Sequence, residues 1–162
     1  MELNNRRQFQ LTADLLATPQ QRIINFLIDM VMMGIMLFIV ILFIMAYTTV
    51  KGDKDFIVRF AANTLWQYML SAVTTLVYYN FFEIFTSRTV GKFCTNTIVV
   101  NENGEKVDYE TIMIRSLIRI IPFYWISFMV FPGRGLHDVI SKTFVVNKKL
   151  LDERKQEFYS QK

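Results

Sequence analysis

The sequence predicts an all-α membrane protein: two long transmembrane helices, an amphipathic and re-entrant helical hairpin, and short β-strands on the cytoplasmic face. Three observations carry this prediction. From Ile23 to Val50 run 28 residues whose only strongly polar members are Asn25 and Asp29. About 20 apolar residues already cross a bilayer, and ordinary globular helices are about 11–12 long. A second apolar run covers Arg59 to Phe85, and a short β-branched motif occurs twice, each time after a hydrophobic helical stretch. Composition alone, 52% hydrophobic and 20% charged over 162 residues, would suit a greasy soluble domain. The distribution of those residues argues against one.

The first helix has a marked start. Thr18-Pro19-Gln20-Gln21 offers an N-cap, a proline at the first helical position and a glutamine to close a capping box. A helix from Pro19 to Val50 is about 48 Å long at about 1.5 Å per residue, so it projects beyond a hydrocarbon core of about 30 Å. Twenty-two mostly polar residues precede the apolar run. That run is too long for a signal-peptide core and no small-residue cleavage site follows it, so a retained anchor is expected. Arg22, Asn25 and Asp29 fall at i, i+3 and i+7 on one face, and Met32, Met33 and Met36 continue it. Arg22 and Asp29 lie about 10.5 Å apart along the axis, so each needs a partner from another segment. An ionisable residue inside a span is costly and marks a functional site by default. The structural alternative is that Asp29 sits hydrated at the inner boundary and orients the helix.

The second run carries a polar stripe at helical spacing: Asn63, Gln67, Ser71, Thr74 or Thr75, Tyr78 or Tyr79, then Glu83. Such residues serve as interhelical hydrogen-bonding glue. A sharper alternative makes the stripe one wall of a hydrated path facing Asp29. With antiparallel spans Glu83 reaches the membrane edge where Arg22 lies, so a Glu83–Arg22 pair is expected.

Next come the two copies of the motif. Thr97-Ile98-Val99-Val100-Asn101 returns as Thr143-Phe144-Val145-Val146-Asn147, each preceded by a short turn, at Gly91-Lys92 and His137-Asp138. This pattern predicts a duplicated helix-exit unit ending in a strand, both copies on one membrane face. Glu102-Asn103-Gly104 is a hairpin signal that would lead the first strand into Glu105–Tyr109.

Charge tests the topology independently. If Thr111–Phe131 crossed fully, Lys and Arg would number 8 on the N-terminal side and 10 on the other. If the segment enters and returns, the distribution is 15 inside against 3 outside, as the positive-inside bias requires. Asp108 is then an N-cap, and Thr111–Ile121 an amphipathic helix at the inner interface. Arg115 and Arg119 would snorkel to headgroups or meet acidic partners. Pro122 breaks that helix, Phe123–Phe131 forms a short return segment, and Gly133-Arg134-Gly135 its exit. The expected organisation is a cytoplasmic N-terminal segment (1–18), a membrane domain (19–147) and a cytoplasmic tail (148–162) forming a frayed helix.

Taken together, these motifs resemble the RDD family of small prokaryotic membrane proteins, named for one arginine and two aspartates. Arg22 and Asp29 match the first-helix Arg…Ile-Asp motif, and Leu136-His137-Asp138 the later turn with the second aspartate. Thr89-Val90-Gly91-Lys92 is similar to the family's Thr-x-Gly-Lys turn, and Thr143-Phe144-Val145-Val146 to its closing strand. Asn25 stands where a small residue is commoner. The resemblance spans about residues 18–147. It implies either cation/proton antiport, proposed for some members, or an accessory or regulatory membrane role.

For function, Arg22, Asn25, Asp29, Glu83 and Asp138 form the candidate ion or proton site. Arg22 is also expected to accept Asp138 as a clasp between the chain's end and its first helix. His137 could titrate near neutral pH. With one Cys and one His, neither a nucleophile–base constellation nor a metal-ligand cluster can be assembled. No enzyme activity, metal or cofactor is expected. The net charge of +4 belongs to inner-face residues beside lipid headgroups, not to a nucleic-acid partner. Two spans and a hairpin cannot enclose a pathway, so the expected partners are the bilayer and either a homo-oligomer or another membrane protein.

Overall fold

The computed structural model describes residues 9–53, 55–121 and 134–160. Helix α1 runs Pro19–Val50, with the full capping box of Thr18 and Gln21 at its start. Among the described residues it is the one helix long and apolar enough to cross a membrane. The second apolar run is not one continuous helix. It divides into α2 (Phe56–Ala61) and α3 (Thr64–Thr86). Asn63 leaves helical geometry and its side chain accepts from the backbone N–H groups of Leu65 and Trp66, so the polar residue that opened the expected stripe instead caps a new helix. With 23 residues α3 is about 34 Å long, but its Asn, Gln, Ser, Thr and Tyr residues keep its hydropathy below that of α1.

The repeat is built as two matching units. Helix α4 (Val90–Cys94) leads through Asn96, at φ 53°, into β1 (Thr97–Val100). Helix α6 (Leu136–Ile140) leads through Lys142, at φ 51°, into β2 (Phe144–Asn147). Hydroxyl pairs recur at matching places, Thr95 with Thr97 at 3.0 Å and Ser141 with Thr143 at 2.9 Å. The two strands pair with each other, antiparallel, from Thr97 opposite Asn147 to Val100 opposite Phe144. The expected hairpin is therefore reduced. The turn at Glu102–Gly104 forms, but its return makes a single bridge, Val100 to Lys106, on the edge of β1 away from β2.

Period-two alternation puts Val99 and Val145 on one face of this small sheet and Val100 and Val146 on the other. The first face packs with Ala17, Val107 and Ile112, the second with Leu15 and Leu151. Leu15 comes from a 3-10 turn, Ala13–Leu15, and Leu151 from α7 (Lys148–Ser160). The N-terminal segment thus docks on the sheet, with the Ala17 N–H donating to the Val145 carbonyl at 2.9 Å. The tail, expected to fray, forms a helix held by Leu151 and by Phe158 edge-on to Phe9.

Helix α5 (Tyr109–Ile120) starts at Asp108, which accepts from the Thr111 N–H as an N-cap. It packs along α3, with the Tyr68 hydroxyl donating to the Ile120 carbonyl at 2.7 Å. Its inner face is mixed: Arg115, Ser116 and Arg119 are buried together with Ile112 and Ile118, while Ile114, Leu117 and Ile121 are exposed. The expected break at Pro122, the return segment Phe123–Phe131 and Gly133 lie outside the described residues.

Candidate functional site

Where α1, α3, α4, α5 and α6 meet, seven charged side chains are buried together. Arg22 and Asp29 come from α1, Glu83 from α3, Lys92 from α4, Arg115 and Arg119 from α5, and Asp138 from α6. Each is put there by helical spacing or by the short turns of the repeat, and each carboxylate is met by several donors, Arg115 serving both Glu83 and Asp138.

Asp29 receives three neutral donors. The Tyr78 hydroxyl (2.7 Å) and the Gly91 N–H (2.8 Å) reach Oδ1, and the Thr89 hydroxyl reaches Oδ2 at 2.6 Å. The polar stripe of α3 therefore does meet Asp29, through Tyr78, and it does so as a direct hydrogen bond. Gly91 permits this contact. A Cβ there would lie 2.4 Å from the Asn25 carbonyl oxygen and 2.8 Å from the Asn25 Cα, so only glycine lets α4 seat against α1. Asn25 locks the same junction. Its satisfied orientation donates to the Gly91 carbonyl at 2.8 Å and accepts from the Thr97 hydroxyl at 3.0 Å.

Glu83, 1% exposed, is ringed by three cations. Lys92 Nζ lies at 3.0 Å, Arg119 Nη2 at 2.9 Å and Arg115 Nε at 3.2 Å. The expected Glu83–Arg22 pair is not formed, because α4 and α5 bring nearer cations to both Glu83 oxygens. Arg22 binds Asp138 instead, Nη1 to Oδ2 at 2.6 Å, which is the anticipated clasp between the first helix and the second half of the chain. Arg115 Nη1 takes the other oxygen, Oδ1, at 2.7 Å, and also donates to the Thr143 hydroxyl.

Of the two expected roles, headgroup contact or acidic partner, Arg115 and Arg119 take the second. At 0% and 5% exposure they serve buried carboxylates, since Glu83 and Asp138 in a low-dielectric interior require nearby counter-charge. Arg119 also lies over the Tyr79 ring, its guanidinium carbon 3.8 Å from the centroid.

Burial works against the charged form of Asp138. The Arg115 and Arg22 guanidiniums outweigh it and hold the carboxyl well below the usual carboxylate range. Burial pushes His137 well below the ordinary imidazole range, with Asp138 opposing and Arg119 and Arg115 reinforcing that shift. His137 is therefore neutral at pH 7. The Lys92 pKa is lowered by burial and supported by Glu83.

The network also takes in residues outside the sequence-derived site, among them Tyr78, Thr89, Lys92 and Thr143. The repeat held the signal for two of them. Lys92 and Asp138 occupy matching positions on α4 and α6, as do Thr97 at the start of β1 and Thr143 just before β2, all buried. Chemically, the arrangement holds helices in register through opposed charges. Among the described residues no three His, Cys, Asp or Glu side chains gather for a metal ion.

No curated protein and no solved structure matches the chain. A family model does match, over residues 16–142, from the turn before α1 to the left-handed residue before β2. That span contains Arg22, Asp29 and Asp138, the three residues whose side chains anchor the network, and the chain belongs to the RDD family.

Proposed function

We propose that this chain is an accessory or regulatory component of a membrane assembly, acting as an oligomer or beside another membrane protein, and that it is not an enzyme. One observation carries the reading: each buried carboxylate is committed to donors of this chain. Asp29 holds Tyr78, Thr89 and Gly91, Glu83 holds three cations, and Asp138 holds two arginines. A transported cation would have to displace these donors. The cavity among them is about 40 Å³, far below the roughly 300–1,000 Å³ of ligand pockets.

In this reading α1 and α3 both cross the membrane, and α5 begins a segment that enters and returns. The pairing of β1 with β2 supports it, since chain leaving β1 ends back beside it. Docking of the N-terminal turn and α7 on the same sheet supports a common side for the two ends of the chain. With 15 of 18 basic residues there, it is the cytoplasmic side. The exposed apolar stripe of α3, including Trp66, Met69, Val73 and Val77, would then face lipid or a partner.

Reconstitution of the protein alone into vesicles holding a pH-sensitive dye, under Na⁺, K⁺ or Li⁺ gradients, tests the proposal. No exchange is expected, and crosslinking in native membranes should recover a stable partner or a second copy. Exchange that Asp29→Asn abolishes would instead establish cation/proton antiport.

A further inference from the structure

The buried network is not electrically balanced. Arg22, Lys92, Arg115 and Arg119 bring four positive charges, while Asp29, Glu83 and Asp138 bring three negative ones. His137 adds none when neutral. One excess buried cation is costly, because an isolated charge in a low-dielectric interior loses hydration that nothing replaces. The cavity at the centre is lined by Arg22, Lys92, Arg119, His137 and the carboxylates of Asp29 and Asp138. At about 40 Å³ it exceeds the roughly 10–15 Å³ that one water needs. It is too small for a headgroup. Arg22 supplies directed donors: its Nη1 binds Asp138, but Nε and Nη2 are buried with no hydrogen-bond partner among the described residues. Nη2 of Arg115 is in the same condition.

We infer that this cavity binds one small monovalent anion of the halide class, held by Arg22 and neutralised against Lys92 and Arg119. Water could satisfy the donors but not the charge. A cation would add to the excess. A halide does both tasks, since it accepts several N–H groups without directional demand and brings one negative charge. This inference stands apart from the accessory role and from any transport, because it needs only the charge count and the cavity.

The test uses the full-length protein in lipid nanodiscs, with chloride titrated against gluconate at constant ionic strength. A saturable rise in unfolding temperature with chloride is expected, together with broadening of the ³⁵Cl resonance that bromide competes away. Lys92→Met leaves Glu83 paired with Arg115 and Arg119 and balances the network at three against three. It should weaken half-saturation by chloride about tenfold or more, the effect of losing one favourable charge contact. Equal unfolding temperatures in chloride and gluconate would overturn the inference. So would a ³⁵Cl line that the wild-type protein leaves unbroadened, a measurement that requires no variant to fold.

Discussion

The two ends of α1 are built on opposite rules. In its first third the buried residues are all polar, Arg22, Asn25 and Asp29, while Ile23, Ile24 and Leu27 are exposed. Beyond Asp29 only Thr48 is buried, and Phe43 stands 72% exposed. One end is held by specific partners, and the other presents apolar surface to whatever surrounds it. The difference shows that the fold of this chain is organised by a polar, charged junction at one end of a long greasy helix, the inverse of a soluble protein's core.

This contrast can be broken from either side. Arg115→Leu should have the largest effect, since it strips one cation from both Glu83 and Asp138. Breaking a buried pair costs about 3–5 kcal/mol, measurable as lost stability in denaturant titrations in mild detergent micelles, with little folded protein recovered. Gly91→Ala comes next. The new Cβ must push α4 away from Asn25, and overpacking costs about 1–3 kcal/mol; loss of the Gly91–Asp29 hydrogen bond would show as faster amide exchange at residue 91. Tyr78→Phe removes one donor from a buried carboxylate and should cost about 1.5–3 kcal/mol, the worth of a hydrogen bond to a charged group. Phe43→Ala, at the other end of α1, should change stability by no more than about 0.5 kcal/mol. A large loss there would mean that the outer half is also held by specific contacts.

Acidification sharpens the comparison, because the outer half of α1 carries no Asp, Glu or His while the junction holds His137 and Asp138. The folded His137 has its pKa depressed, so below about pH 6.5 the unfolded chain binds a proton that the folded one refuses. Stability therefore falls as pH drops, by at most about 1.4 kcal/mol per pH unit for one proton. The Asp138 carboxyl is also depressed. Its contribution is present above about pH 3.9 and is lost as pH falls from there towards its folded value. In His137→Gln the decline between neutral pH and about pH 5 should flatten while the lower limb stays, as followed by unfolding at stepped pH.

Local signals were legible wherever one segment decides its own structure. The capping box of Thr18 and Gln21, the extent of α1 and the Asp108 cap all follow from adjacent residues, and all are present. The Arg22–Asp138 clasp was legible because each charge lacked a neighbour in its own helix. The break at Asn63 was not, since an asparagine in an apolar run reads equally as interhelical glue and as a cap. The surroundings of the α5 arginines were open for a similar reason, since headgroups and acidic partners suit the sequence equally, and the structure gives them acidic partners. The periodicity of α5 defines two faces, but which one turns inward depends on the carboxylates of α3 and α6.

The sequence by itself determined the long apolar helix, the polar face at its start, the duplicated turn-and-strand unit and the family. These depend on composition and spacing, which act over a few residues. Tertiary structure decided the pairing: that the two repeats form one ladder, that Glu83 takes Lys92, Arg115 and Arg119 and leaves Arg22 to Asp138, and that Asp29 receives Tyr78, Thr89 and Gly91. Charge attraction has no sequence period. Which opposite charges meet is settled only when the helices that carry them are packed.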